Sequence, residues 1–283
     1  KCQKEGKPFA KRTAFFDIFN EYNISFFIPK KDQCELCTAH ENTRPTGNDN
    51  EQEGEGNEAI KIKYEEHLKE KELSRVEKEN DKNESPANTI VCTYDLQAAL
   101  PTPKGEVSVF YYRSKLSTYN LTIYDLKTTE AVCNVWHEGE GNRGAIEIAT
   151  ALFQYIERKS RAMNNEELDF VFYSDNCCGQ QKNKFMFSMY SYALCLFRNI
   201  RSITHKFLIK GHTQNEGDTV HSVIEKEVKR ALKFGPINVP EQYYQIMRTA
   251  KKRAPFYEVN EMNHSDFIDF KALAGEVGDN FTT

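Results

Sequence analysis

Apolar residues between positions 88 and 138 alternate with polar ones or form short runs, which predicts four strands in succession. These strands are expected in NTIVCTYDLQ, EVSVFYYRSK, STYNLTIYDL and AVCNVWHE. After residue 141 the apolar positions recur at helical spacing in RGAIEIATALFQYIERKSR. Strands predicted in LDFVFYSD and THKFLIKG then alternate with helices over residues 184–197 and 219–232. Hairpins followed by helical crossovers indicate the α/β class, with a mixed sheet and helices on its faces.

The first 87 residues follow other patterns. A short helix is expected over residues 13–21 and an extended segment over residues 24–28. Residues 41–58 include TRPTGNDNEQEGEGNE, which has almost no apolar side chains to bury, so we expect an acidic, disordered insertion. Charges at i,i+4 spacing over residues 60–81 predict an exposed helix that projects from the core.

Three regions follow from these patterns. Residues 1–87 are expected to form a small N-terminal module, residues 88–257 the α/β domain, and residues 258–283 an acidic tail that is peripheral or partly disordered. The chain begins at Lys1 rather than Met, which suggests a fragment of a longer protein.

Composition indicates the size of the core, the class of partner and the redox compartment. A length of 283 residues with 39% apolar residues supports a sizeable core. The net charge of -4 argues weakly against wholesale binding to nucleic acid, although charge is strongly segregated along the chain. Eight cysteines without a signal-like or membrane-length apolar run indicate a reducing compartment, nuclear or cytoplasmic, with thiols or metal ligands rather than disulfides.

Three aspartates fall at comparable positions in this predicted order. Asp95 ends the first strand, Asp175 ends the strand VFYSD, and Asp218 stands where a later strand gives way to a helix. Acids without paired bases repel one another unless a divalent cation supplies the missing charge, and oxygen ligands suit Mg²⁺ or Mn²⁺. Two such ions about 4 Å apart favour phosphodiester cleavage or transfer. The alternative is that each aspartate caps a helix or turn.

A second group of residues indicates a structural zinc site. Cys34 and Cys37 have the two-residue gap that lets both thiolates bind one zinc ion. The best third ligand is His67, since the acidic insertion can loop out and bring its helix back. The sequence leaves the fourth ligand open among His40, Cys2 and Cys92, and free thiols remain the alternative.

Three stretches, IVCTYDLQ, VFYSDNCCGQQKNK and FLIKGHTQNEGDTVHSVIE, together resemble a family of transposon-encoded or transposon-derived transposases of animal genomes. The resemblance implies an RNase H-like fold with a three-acid centre, in which Asp95 and Asp175 match the first two acids. Asp218 is our choice for the third acid, and Glu216 and Glu225 are alternatives within reach of the same helix entry. Glu147 is a candidate auxiliary acid or a surface glutamate of its helix. Related sequences also keep a Cys, Cys, His arrangement.

Several further residues are candidates for contacts with substrate. His221 follows Asp218 by three residues and could orient water or a leaving oxygen, or be a buried histidine. The turn after Gly179 and the helix after Asp218 offer phosphate contacts or merely solvated surface. These candidates are Gln180, Lys182, Asn183, Lys226, Lys229 and Arg230.

Two function classes follow. The first is metal-dependent cleavage and strand transfer of DNA, with homo-oligomerisation and without a membrane or a small-molecule cofactor. The second is a catalytically inactive, domesticated descendant that binds nucleic acid or protein. An RNase H-like exonuclease of repair or RNA turnover would use the same metals.

Overall fold

The computed structural model describes residues 11–24, 34–42, 55–213 and 215–277. The chain divides into two compact units, Lys1–Gln33 and Cys34–Thr283. The first unit contains helix α1 (Arg12–Glu21), close to the predicted range of 13–21. Residues 25–28 of the expected extended segment lie outside the described residues.

Seven strands among the described residues form one mixed sheet in the second unit. They are β1 (Thr89–Leu96), β2 (Leu100–Thr102), β3 (Leu116–Asp125), β4 (Ala131–His137), β5 (Leu168–Ser174), β6 (Ile200–Phe207) and β7 (Glu258–Glu261). The order is β6-β5-β1-β3-β4-β7, with β2 paired to β3. The pairs β1–β3 and β3–β4 are antiparallel, whereas β5 and β6 continue the sheet parallel to β1. The sheet is mixed, as the sequence pattern predicts, and its strand order is the RNase H-like arrangement that the resemblance to transposases implies.

Helices cover both faces of the sheet. Helices α4 (Ala145–Ala162), α5 (Lys184–Leu196) and α8 (Phe270–Val277) pack on one face around Tyr94 and Phe172. Helices α6 (Glu216–Ala231) and α7 (Pro240–Ala250) pack on the other. Side chains alternate between the two faces along each strand, so β1 is buried on both sides up to Tyr94.

The N-terminal part of the second unit contains helices α2 (Glu35–Asn42) and α3 (Glu55–Glu84). Both reach into the range 41–58 that was expected to be disordered, and residues 43–54 lie outside the described residues. Helix α3 is mostly exposed, as predicted, but it does not project from the core. Tyr173 on β5 donates a 2.6 Å hydrogen bond to Asp81, and Lys206 on β6 pairs with Glu77 and Asp81. Polar contacts therefore fasten this helix to the sheet.

The segment EVSVFYYRSK, which was expected to be a strand, is a loop with one short 3-10 helix over Ser108–Tyr111. Strands β1 and β2 occupy one edge of β3, and β4 occupies the other, so this segment has no edge of β3 to pair with. Its aromatic side chains Tyr111 and Tyr112 are more than 80% exposed. Strand β6 also begins four residues before the predicted stretch at 204–211.

The C-terminal region differs from the expected peripheral tail, in the part that the structure describes. Strand β7 pairs with β4 and extends the sheet. Helix α8 then places Phe270, fully buried, against Phe153 of α4, with ring centroids 5.8 Å apart. The acidic side chains of Glu258 and Asp269 are exposed, while the apolar side chains of Met262 and Phe270 are buried in the core.

We expect Phe270→Ala to lower the free energy of unfolding by about 3–5 kcal/mol, because it would leave a cavity in the main core. Chemical denaturation of the full chain measures this loss. Phe256→Ala is the matched control, since Phe256 is 62% exposed and its loss should change stability little. Equal effects of the two substitutions would contradict the placement of α8 in the core.

Candidate functional site

Two of the predicted acids lie side by side where the neighbouring strands β1 and β5 end. Strands β1 and β5 are parallel, and Thr93 is the register partner of Tyr173. Asp95 and Asp175 each lie two residues further on, so they occupy equivalent positions and face the same side of the sheet. Neighbouring strands are about 4.8 Å apart, which brings the two carboxylates into one electrostatic environment.

Helix α6 brings the third acid and a histidine to the same end of these strands. Ligand atoms of Asp95, Asp218 and His221 all lie within 4.8 Å of one another. Asp175 stands outside this closest group. Gly217 is buried between Asn215 and Asp95, and a Cβ there would lie 2.7 Å from Asn215 Oδ1 and 3.4 Å from Asp95 Cβ. The contact with Asp95 would be an ordinary one, whereas the contact with Asn215 would be a clash, so glycine at residue 217 leaves room for the side chain that caps α6.

His221 is held in a fixed position between two strand residues. Its Nε2 lies 3.0 Å from Oγ1 of Thr122, and its Nδ1 lies 3.7 Å from a carboxylate oxygen of Asp95. Thr122 on β3 is the register partner of Asp95. Burial lowers the pKa of His221 to about 4, so the ring is neutral at pH 7. A neutral imidazole that is anchored through one nitrogen presents the other as a metal ligand or proton acceptor.

Negative charge on the carboxylates of this site is unfavourable in the folded, metal-free protein. Burial raises the pKa of Asp95 to about 7, and the charges of Asp218 and Asp175 add to the effect, while Arg143 partly opposes it. Burial also raises the pKa of Asp175. A divalent cation is the group that would stabilise all of these charges at once.

Two of the acids also make the local contacts that the alternative interpretation predicts. Asp218 accepts a 2.8 Å hydrogen bond from the backbone N–H of Asn215, within the capping box of α6. Asp175 accepts a 3.3 Å bond from the N–H of Cys177. Each of these bonds uses one carboxylate oxygen, which leaves the second oxygen of each side chain for another partner.

The remaining predicted acids lie elsewhere. Glu216 pairs with Lys78 of α3 at 2.6 Å. Glu147 is buried, and its Oε1 accepts a 2.7 Å bond from the N–H of Asn142 at the start of α4. Glu225 is exposed two turns beyond Asp218; burial lowers the pKa of Lys104, and the charge of Glu225 partly opposes this shift. None of the three joins the group around Asp95 in the part of the chain that the structure describes.

The candidate phosphate contacts in the turn before α5 are partly buried or make local contacts, whereas those on α6 are exposed. Asn183 is the N-cap of α5, and its side chain accepts bonds from the N–H groups of Phe185 and Met186. The ammonium group of Lys182 lies 5.5 Å from the centre of the Phe207 ring, and Gln180 is half-buried. On α6 the basic side chains are exposed: Lys226, Lys229 and Arg230, the last paired with Glu227.

A second cluster joins two cysteines and two histidines. Sγ of Cys34 lies 3.2 Å from Nε2 of His67, and Sγ of Cys37 lies 3.3 Å from Nε2 of His212. The two Nε2 atoms are 3.0 Å apart. All four ligand atoms lie within 4.8 Å of one another. The predicted set of Cys34, Cys37 and His67 thus comes together, with one further histidine.

His212 was not among the fourth ligands that the sequence left open. His40 stacks on Tyr64, and the Cys92 thiol is buried in the core, 3.2 Å from the hydroxyl of Tyr155. Cys2 lies outside the described residues. His212 and His67 are separated by 145 residues, so local spacing could not pair them. The signal in the sequence was a histidine directly after a glycine in the loop that follows β6.

Comparisons with known proteins give limited guidance. Residues 145–273 match the model of a family described as a domain of unknown function, DUF7869. No curated protein is significantly similar to the chain. Among solved structures, the Mos1 transposase paired-end complex with left transposon end matches with a TM-score of 0.34 and 10% identity, over 99% of this chain and 92% of that chain. That similarity is too low to assign a function. Within the described residues, every helix is too short or too polar to span a membrane.

The raised pKa of Asp95 predicts a pH-dependent cost to stability in metal-free protein. The folded state holds the proton up to about pH 7, whereas the ordinary value is 3.8. The cost is therefore absent below pH 3.8, grows as pH rises, and is complete above pH 7. We expect Asp95→Asn to be more stable than the parent at pH 8, by on the order of a few kcal/mol, and to lose this advantage near pH 4.

Thermal unfolding in the presence of a chelator, measured from pH 4 to pH 8, tests this expectation. Glu225→Gln is the control, because its exposed carboxylate should give no pH-dependent difference from the parent. A constant difference between Asp95→Asn and the parent across the whole range would contradict the electrostatic account.

Proposed function

We propose that this protein is a metal-dependent, RNase H-like enzyme that cleaves DNA and transfers its strands. Asp95, Asp175 and Asp218 would hold Mg²⁺ or Mn²⁺. The observation that carries the proposal is that these acids lie near one another where β1 and β5 end and α6 begins. Burial raises the pKa of both Asp95 and Asp175, and His221, the basic side chain that lies 3.7 Å from Asp95, is neutral at pH 7. The resemblance of the surrounding motifs to transposases supports the choice of DNA as substrate.

The donor set suits hard divalent cations. Carboxylate oxygens are the ligands that Mg²⁺ and Mn²⁺ prefer, and one imidazole is compatible with Mn²⁺. When bound, such ions stabilise the developing charge on the phosphate and favour the deprotonation of the attacking water or hydroxyl. Asp95, nearest to both α6 and β5, would contact the ions most directly. The Asp218 oxygen outside the capping box is the one available for this role.

His221 would act beside the acids. Thr122 fixes its ring, and burial keeps it neutral at pH 7, so Nδ1 is available to accept a proton or to bind metal. We propose that it orients the attacking water or the leaving oxygen. Glu216 is already paired with Lys78, and Glu225 and Glu147 face other surroundings, so we assign them no part in the reaction.

A basic surface beside α6 is the proposed path of the DNA backbone. Lys226 and Lys229 are exposed there. Burial lowers the pKa of Lys104, the charge of Glu225 opposes this shift, and the charges of Lys229 and Lys115 add to it, so three lysines lie near one another here with one acid among them. Such a surface binds phosphates through the release of counterions. Lys182 and Gln180 lie near Asp175 in sequence and would extend it. Action on chromosomal DNA would place the protein in the nucleus.

The second candidate is a catalytically inactive descendant that binds nucleic acid or protein. The observation that favours it is that Asp218 and Asp175 each bond a nearby backbone N–H. Those bonds would keep both acids in place without any metal. Metal binding and cleavage separate the two candidates directly.

Manganese titration by calorimetry and a nicking assay on supercoiled plasmid test the proposal. The parent should bind Mn²⁺ and nick, while Asp175→Asn should weaken binding and reduce nicking by about two orders of magnitude or more, as expected for lost transition-state stabilisation. Glu225→Gln, an exposed acid of the same helix, is the control and should match the parent.

Comparison of supercoiled, linear and single-stranded DNA would distinguish strand-nicking activity from exonuclease activity. Absence of metal binding and of nicking in the parent would favour the binding module. Equal loss in Asp175→Asn and Glu225→Gln would contradict the assignment of Asp175.

A further inference from the structure

We propose that Cys34, Cys37, His67 and His212 bind one zinc ion, and that this ion fixes the loop leading to the candidate active site. The second half of this statement rests on the proposed function, but the first does not. The cluster joins three separate parts of the chain: Cys37 on α2, His67 on α3 and His212 in the loop after β6. It lies apart from the acids of α6 and uses different donor chemistry.

The distances among the donor atoms agree with a tetrahedral zinc site. With Zn–S near 2.3 Å and Zn–N near 2.0–2.1 Å, a tetrahedron has sulphur–nitrogen edges of about 3.5 Å and nitrogen–nitrogen edges of about 3.3 Å. The observed sulphur–nitrogen distances are 3.2 and 3.3 Å, and the nitrogen–nitrogen distance is 3.0 Å. These three edges are slightly shorter than those of the expected tetrahedron, and every other pair of donor atoms lies within 4.8 Å. Two cysteines and two histidines make a closed, structural set.

The backbone beside His212 is shaped for this approach. Gly211 has φ of +82°, in the left-handed region that favours glycine. A Cβ at this position would lie 2.7 Å from Cβ and 2.8 Å from Cα of Cys34. Any other residue would push the loop away from Cys34 and carry His212 with it. This close packing is independent of the donor distances, and both point to a site built to bring residue 212 to the cysteines.

The chemistry of the donors selects the ion. Thiolate and imidazole ligands favour zinc over Mg²⁺ or Mn²⁺, which prefer oxygen. The cluster and the acid site should therefore take different metals, and each can be examined without the other. Hydrogen bonds alone could join the atoms in pairs, but they do not require four donor atoms to converge on one point.

The ion would act on α6 through a short connection. Asn215, the N-cap of α6, follows His212 by three residues, and Asp218 follows it by six. A second contact, the 2.6 Å pair of Lys78 with Glu216, ties α3 to the same end of α6. Zinc at His67 and His212 would thus hold the β6–α6 loop against α3. The position of Asp218 and His221 would then depend on a metal that takes no part in the reaction.

Zinc analysis of the purified full chain tests the ligand set. The parent should contain about one zinc per chain, and His212→Ala should lose most of it, as expected when one of four structural ligands is removed. His40→Ala is the matched control and should keep its zinc. Loss of zinc from His40→Ala with retention in His212→Ala would overturn the proposal.

If His212→Ala fails to fold, the ligand set can be tested by comparing the parent with His212→Cys, both with Co²⁺ in place of zinc. His212→Cys keeps a zinc-binding side chain and should retain the metal as a three-cysteine site. In the Co²⁺ forms, the added thiolate should strengthen the thiolate-to-metal charge-transfer absorption relative to the parent. Identical spectra would show that residue 212 is not a ligand and would overturn the proposal.

Hydrogen exchange measures the effect on α6. Zinc removal should raise amide exchange at residues 215–222 by about tenfold or more, as expected for local opening, while amides of β3 keep their protection. No change at residues 215–222, or an equal rise throughout the sheet, would contradict local positioning by zinc. These results do not depend on nicking, so an inactive protein that binds zinc would refute only the proposed function.

Discussion

The parallel pairing of β1 with β5 in a single register is the constraint on which the candidate site depends. Because Thr93 pairs with Tyr173, the next residues on the same face are Asp95 and Asp175. Side chains alternate along a strand, so a shift of one residue would turn one of these acids to the opposite face, among the apolar side chains beneath α4 and α5. The burial of Tyr94 and Phe172 on that face therefore fixes where the acids point.

This register has an energetic cost that the rest of the fold must offset. Asp95 lies at the end of a strand that is buried on both sides, and burial and its acidic neighbours raise its pKa to about 7. The large core around α4, α5 and α8 offsets that cost in the absence of any cation. A destabilised cluster of acids within an otherwise well-packed sheet is the pattern expected of a site kept for chemistry rather than for stability.

The sequence predicted the elements whose side chains follow a regular period. Strands β1, β3, β4 and β5 and helices α4 to α6 were found because each has a long apolar pattern, and Asp95 and Asp175 followed from the ends of two of these strands. Short elements such as β2 were missed. Strand β7 is short, and its place at the edge is set by pairing with β4. His212 was missed because it lies 145 residues from His67, and only the folded chain brings the two together.

Helix α3 raises the question of what holds so polar an element in place. Of its residues with described side chains, His67 is the one that is buried. Its other attachments, such as those of Lys206 with Glu77 and Asp81, are partly exposed ion pairs, and pairs of this kind contribute about 0–1 kcal/mol each. Helices in proteins owe most of their stability to packing of an apolar face, which α3 lacks. Metal binding at His67 would supply folding free energy at the point where apolar contacts are scarce. The charged character of α3 is therefore an argument for the zinc site that is independent of the distances within the cluster.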